Sequence, residues 1–199
     1  MTLFSRPTLA RFATVAALAL AAMPAMAHPG HGESSGFPAG FAHPLGGIDH
    51  VLAMLGVGLF AARIGGRGIW ALPASFLAAM AGGAVAAAMG LALPAVEPAI
   101  AMTVVAMGLL VAAGARLPMG WAAGLVAVFA VFHGHAHGVE AVGSLPAFAG
   151  GFLLATGLLH ASGIALGQAL ERIGAPRAAL ARVSGGGLTA LAGALLLAA

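Results

Sequence analysis

Two short motifs concentrate the chemistry of this chain. His43-Pro44-Leu45-Gly46-Gly47-Ile48-Asp49-His50 opens one strongly apolar segment, and His133-Gly134-His135-Ala136-His137-Gly138-Val139-Glu140 closes another. An ionisable side chain costs about 3 kcal/mol at membrane depth, so groups placed there are candidates for function. Imidazoles with carboxylates, in a chain that has no cysteine, form a ligand set for a borderline divalent transition metal.

Spacing narrows the set. In an unbroken helix His43 and His50 lie about two turns apart on one face, roughly 10 Å apart in depth. Asp49 points about 100° away from His50 and either ligates directly or orients a histidine of another span. Pro44, Gly46 and Gly47 weaken this helix start, and irregular helix near a site is how transporters free carbonyls for a cation. In the second motif His133, His137 and Glu140 follow at intervals of four and three, on one face, while His135 points elsewhere. Gly134 and Gly138 allow either close packing or a break.

Other residues carry two readings each. His160, alone in a later apolar segment, is either a ligand on a transport path or an interhelical hydrogen-bond donor. Glu97 precedes Pro98 in a helix-start arrangement, which favours capping over a role in admitting cations. Met54, one turn below His50, is a soft ligand or a filler of apolar gaps. His28 and His31 either capture metal or belong to a polar linker.

These residues need helices that cross a bilayer. Of the 199 residues, 61% are hydrophobic and only 7% charged, where a soluble domain carries about a quarter charged. The expected fold class is therefore an all-α integral membrane protein, a bundle of about six transmembrane helices behind a cleaved signal peptide. Residues 1–27 read as that signal peptide: Arg6 and Arg11, a short apolar run from Phe12 to Ala22, then Ala25-Met26-Ala27. The competing reading is an uncleaved anchor. Residues 28–40 read as an extracytoplasmic, histidine-containing lead-in, flexible from Gly30 to Gly40, and residues 41–199 as the permease domain. Spans are expected near Phe41–Ala62, Ile69–Leu91, Pro98–Ala115, Trp121–His137, Leu145–Ala169 and Leu180–Ala198. Runs such as Gly82-Gly83 and Gly185-Gly186-Gly187 read as helix-packing contacts.

Charge sets orientation. Beyond residue 27 every arginine (63, 67, 116, 172, 177 and 182) falls in alternate connections. The positive-inside rule makes that side cytoplasmic and puts both termini outside the inner membrane. Both histidine motifs then fall at the outer ends of their spans, where they could build one site. The basic balance comes from eight arginines and no lysine, two of them in the signal segment. No patch to grip nucleic acid remains. Without lysine there is no phosphate-loop lysine, hence no ATP-hydrolysing domain in this chain.

The first motif, continuing through Met54 and Gly56-Val57-Gly58, resembles the first-span signature of the HupE/UreJ family. Phe132 to Glu140 is similar to its second signature, and Leu159-His160 and Glu97 sit where similar proteins place them. The resemblance implies a nickel or cobalt permease linked to hydrogenase or urease maturation, with Ni²⁺ or Co²⁺ as cargo and no prosthetic group. More distant nickel/cobalt transporters place four residues between His and Asp-His, whereas five separate His43 from Asp49 here, so their ligand geometry does not transfer. The competing functions are an intramembrane metal-dependent hydrolase, with Glu140 as base, and a metal-binding accessory or sensor. Because a ligating imidazole must be neutral, metal uptake is expected to weaken as pH falls through about 6.5.

Overall fold

The computed structural model describes residues 35–198 apart from residue 142. The signal segment 1–27 and the lead-in histidines His28 and His31 lie outside these residues. Seven helices follow one another: α1 Phe37–Gly46, α2 Ile48–Ile64, α3 Gly68–Ala88, α4 Val96–Ala112, α5 Met119–Glu140, α6 Leu145–Arg172 and α7 Ala175–Ala198. There is no strand among the described residues. Four helices (α3, α5, α6, α7) are each long and apolar enough to cross a membrane. In hydrocarbon every backbone group must be satisfied internally, and helices alone achieve that segment by segment.

The first expected span is not one rod. The axes of α1 and α2 differ by 87° across the break, so only as a pair do they count as a fifth span. The break falls at Gly47, whose φ of −111° and ψ of 124° are extended. His43 and His50 therefore do not share the face of one helix, as an unbroken span required. α1 also begins at Phe37, so the last residues of the lead-in are helical; Pro38 in its first turn favours the start. The expected third span is α4, a 17-residue helix at the lower limit of about 17 residues for crossing.

Packing is pairwise: α3 lies along α5, α4 along α7, and α2 and α1 both against α6. Small residues allow these approaches where lipid offers no hydrophobic drive. A Cβ on Gly134 would fall on the Met80 carbonyl, and one on Gly138 would meet the Ala84 carbonyl at 2.5 Å. Those two motif glycines thus serve packing rather than a break, and α5 runs on to Glu140. Of Gly82-Gly83 only Gly83 makes such a contact, and of Gly185-Gly186-Gly187 only Gly186. Met54, Val57, Phe60, Leu72, Phe76, Met80, Met107 and Val126 form the interior. Leu180, Leu188 and Leu195 of α7 face outward, the arrangement of a surface solvated by lipid.

The two ends of the bundle differ in charge. At one end Arg63 donates to the Gly114 carbonyl at 3.1 Å, and Arg63 and Arg182 both reach Glu171, at 3.4 and 3.0 Å. Three arginine-bearing connections therefore meet at a common end. Both histidine motifs lie at the other.

Candidate metal site

The break at Gly47 builds the first part of the site. A Cβ there would lie 2.5 Å from Asp49 Oδ1 and 2.9 Å from His50 Nδ1. Glycine leaves room for both side chains to fold back over the start of α2. Asp49 Oδ1 stands 2.8 Å from His50 Nδ1, so the carboxylate orients its own neighbour rather than a histidine of another span. This is an ion-pair contact without hydrogen-bond alignment, so it positions the ring and leaves Nε2 without a partner. Asp49 also sits in the first turn of α2, where a negative charge complements the helix field, while His43 lies in the last turn of α1, where positive charge is favoured.

From α5 come His133 and His137, both buried, and Glu140, 53% exposed. Glu140 Oε2 lies 3.1 Å from His43 Nε2 and 3.4 Å from His137 Nδ1. One ligand atom from each of His43, His137 and Glu140 falls within 4.8 Å of the others. These three form a compact potential metal-binding group at the mouth.

The imidazoles continue inward as a stack. The His137 ring centroid is 4.7 Å from His43 and 4.5 Å from His50, and His50 is 5.4 Å from His133. The His43 and His50 side chains are 32% and 14% exposed, while His137 and His133 are buried. His133 Nδ1 donates to the Phe129 carbonyl at 3.0 Å, and His160 Nδ1 donates to the Met54 carbonyl at 2.8 Å. Donation from Nδ1 specifies the tautomer whose Nε2 is a bare lone pair. The Nε2 atoms of His50, His133, His137 and His160 are buried and have no hydrogen-bond partner among the described residues. Buried polar atoms are normally satisfied; Nε2 is an acceptor in His133 and His160, neither ring nitrogen of His50 or His137 has a hydrogen-bond partner, and the four imidazoles could therefore offer lone pairs to a cation.

His160 makes the interhelical bond through Nδ1, and its Nε2 has no partner among the described residues. Met54 contributes its carbonyl to that bond, and its side chain is buried in the apolar interior. His135 turns away as its spacing implied; its Nε2 lies 2.6 Å from the Leu91 carbonyl and 3.3 Å from the Leu93 amide, which ties down the connection before α4. Glu97 stands apart from the stack, exposed in the first turn of α4. That helix starts at Val96, ahead of Glu97, and has no side-chain cap. The carboxylate therefore acts on the helix field rather than as a cap.

Sequence reasoning missed the aromatic frame. Phe76 lies against both His133 (5.8 Å) and His160 (4.9 Å), separating the stack from its deepest member. Phe152 packs on His137 at 4.2 Å, and Phe148 on His43 at 5.5 Å. A phenylalanine within an apolar run carries no signal of its own; only the interval of four between residues 148 and 152 places them on one face of α6.

No solved structure matches this chain. The family model described as HupE / UreJ protein matches residues 16–196. The chain is 46% identical over 187 residues to Protein HupE of Rhizobium leguminosarum bv. viciae, covering 92% of this chain and 95% of that protein. With the two signatures gathered at one end of an all-helical, apolar bundle, the chain belongs to the HupE/UreJ family.

Proposed function

We propose that the protein is a secondary permease that takes up Ni²⁺ or Co²⁺ across the inner membrane. The observation that carries this reading is the column of free Nε2 atoms leading from a carboxylate-bearing mouth to a buried interior. His43, His137 and Glu140 receive the ion and replace part of its water. His50, held by Asp49, and His133 take it deeper, and His160 receives it beyond Phe76. Neutral imidazole suits borderline divalent ions, and the carboxylates offset their charge.

In this reading the signal peptide is removed, and the α1–α2 pair and α4 complete six spans. The arginine end faces the cytoplasm. Trp70 and Trp121, each 77% exposed, follow Arg67 and Arg116 in sequence and suit the interfacial aromatic belt on that side. At about 2.3 kcal/mol per charge per 100 mV, a divalent ion moving inward gains roughly 4.6 kcal/mol without a nucleotide. The recipients are nickel enzymes of the hydrogenase or urease type.

Elemental mass spectrometry of Ni, Co, Zn, Cu, Mn and Fe tests the reading, in cells lacking the protein, expressing it, or expressing His50→Ala or His133→Ala at equal membrane levels. Raised nickel or cobalt, lost in both variants, is expected. Unchanged metal in every strain would overturn transport and favour an accessory or hydrolytic role.

A further inference from the structure

Thr103 and Thr156 are the buried polar side chains among the described residues that the site above does not account for, and Thr103 bonds the Ala99 carbonyl. Thr156 has no exposed surface, and its hydroxyl has no hydrogen-bond partner among the described residues. A helical Ser or Thr hydroxyl ordinarily bonds a carbonyl one turn back. In this chain Thr103, Ser162, Ser184 and Thr189 do so, at 2.8 to 3.0 Å, and Ser75 bonds the Ala123 carbonyl of α5. Thr156 alone among these helical hydroxyls leaves its oxygen uncommitted.

Its place on α6 puts it on the face that carries the site's aromatic rings and His160. Phe148, Phe152, Thr156 and His160 recur at intervals of four and so form one stripe. Phe148 and Phe152 frame His43 and His137, and His160 touches Phe76. Thr156 occupies the step between the mouth and the deepest imidazole. A side chain on a helix leans toward the N-terminal turn, which brings His160 over the turn that carries Thr156. His160 Nε2 is itself buried and without a partner.

We infer that Thr156 and His160 form a second, deeper site on the ion's path, in which the threonine hydroxyl is a neutral oxygen donor to the divalent cation. The inference rests on the transport reading and adds a functional division to it. The mouth carries the Glu140 carboxylate, with Asp49 against His50 next along the path, and this charged part holds a dication firmly. The deeper pair carries no charge and holds it weakly. Conduction needs both, because an ion bound equally firmly at every step does not leave. The hydroxyl lets the ion pass Phe76 without surrendering every oxygen ligand at once.

The test is the initial rate of radiolabelled Ni²⁺ uptake across a range of concentrations, in cells expressing the full chain with Thr156→Val or Thr156→Ser at equal membrane levels. Ni²⁺ binding to the purified proteins in detergent is measured alongside. Thr156→Val keeps the shape and loses the oxygen. It is expected to lower the maximal rate about 10-fold, as loss of one polar contact does, with detergent binding and half-saturation near wild type. Thr156→Ser, which keeps the oxygen, stays near the wild-type rate. A packing role predicts the reverse order, with Val like wild type and Ser impaired, and that order would overturn the inference. If Thr156→Val reduces membrane levels, Thr156→Ala against Thr156→Ser repeats the comparison with less bulk. Wild-type protein that adds no uptake over cells without it would remove the transport reading and this inference together. Active wild type matched by Thr156→Val would remove this inference alone.

Discussion

The histidine end and the arginine end of the bundle both gather charged side chains from several helices, yet they are built differently. At the arginine end the Glu171 carboxylate joins Arg63 of α2 and Arg182 of α7, and Arg63 also finds a carbonyl. Donors there meet acceptors, and the contacts staple helix ends together. At the histidine end the bonds that exist engage one nitrogen of an imidazole and leave the other bare. Polar groups that satisfy one another are architecture. Polar groups whose second atom is kept free, where every helical hydroxyl but that of Thr156 is bonded among the described residues, leave that atom open to a ligand.

Substitutions test whether the two ends really differ in this way, and the largest loss is expected inside the stack. His137→Ala removes the ring that touches both His43 and His50, and uptake is expected to fall to the level of cells without the protein, with the polypeptide still in the membrane. Gly47→Ala pushes a methyl group into Asp49 and His50. It is expected to reduce uptake by about 10- to 100-fold, the usual range for disturbing the groups that orient a metal ligand, although no ligand has changed. Asp49→Asn keeps the shape and weakens the orienting charge, so its expected loss, about 10-fold in apparent affinity, is partly restored at high metal. The smallest effect belongs to Glu171→Gln. With half the side chain exposed, its ion pairs contribute less than about 1 kcal/mol, so thermal stability in detergent drops slightly and Ni²⁺ binding does not.

Much of this architecture is legible in the amino-acid sequence. Alternation of arginine-bearing and arginine-free connections places both motifs at one end, and the fold brings them there. The interval of four between His133 and His137, with Glu140 three further on, puts these residues on one face of α5. The first motif is less legible. A seven-residue interval reads as two turns of helix, and only the extended Gly47 shows that α1 and α2 part there and that His43 and His50 reach His137 from separate helices. The phenylalanines and Thr156 are hidden for a different reason. An apolar span offers an aromatic ring or a lone hydroxyl no contrast with its neighbours, so their meaning depends on which helix lies opposite.

Long unbroken apolar runs with so few charges make this chain helical in lipid, because the strands of a barrel alternate in polarity and only a helix satisfies its backbone within one segment. Residue identity likewise specifies which side chains can bind a metal, since ligand chemistry belongs to the side chain. Which nitrogen of His133 and of His160 is free, and in what order the rings follow from the mouth inward, depends on the packed helices. Tautomer and order of contact rest on carbonyls and carboxylates supplied from the Met54 backbone, the preceding turn of α5 and the broken start of α2. Their positions are set by how closely small residues let the helices approach.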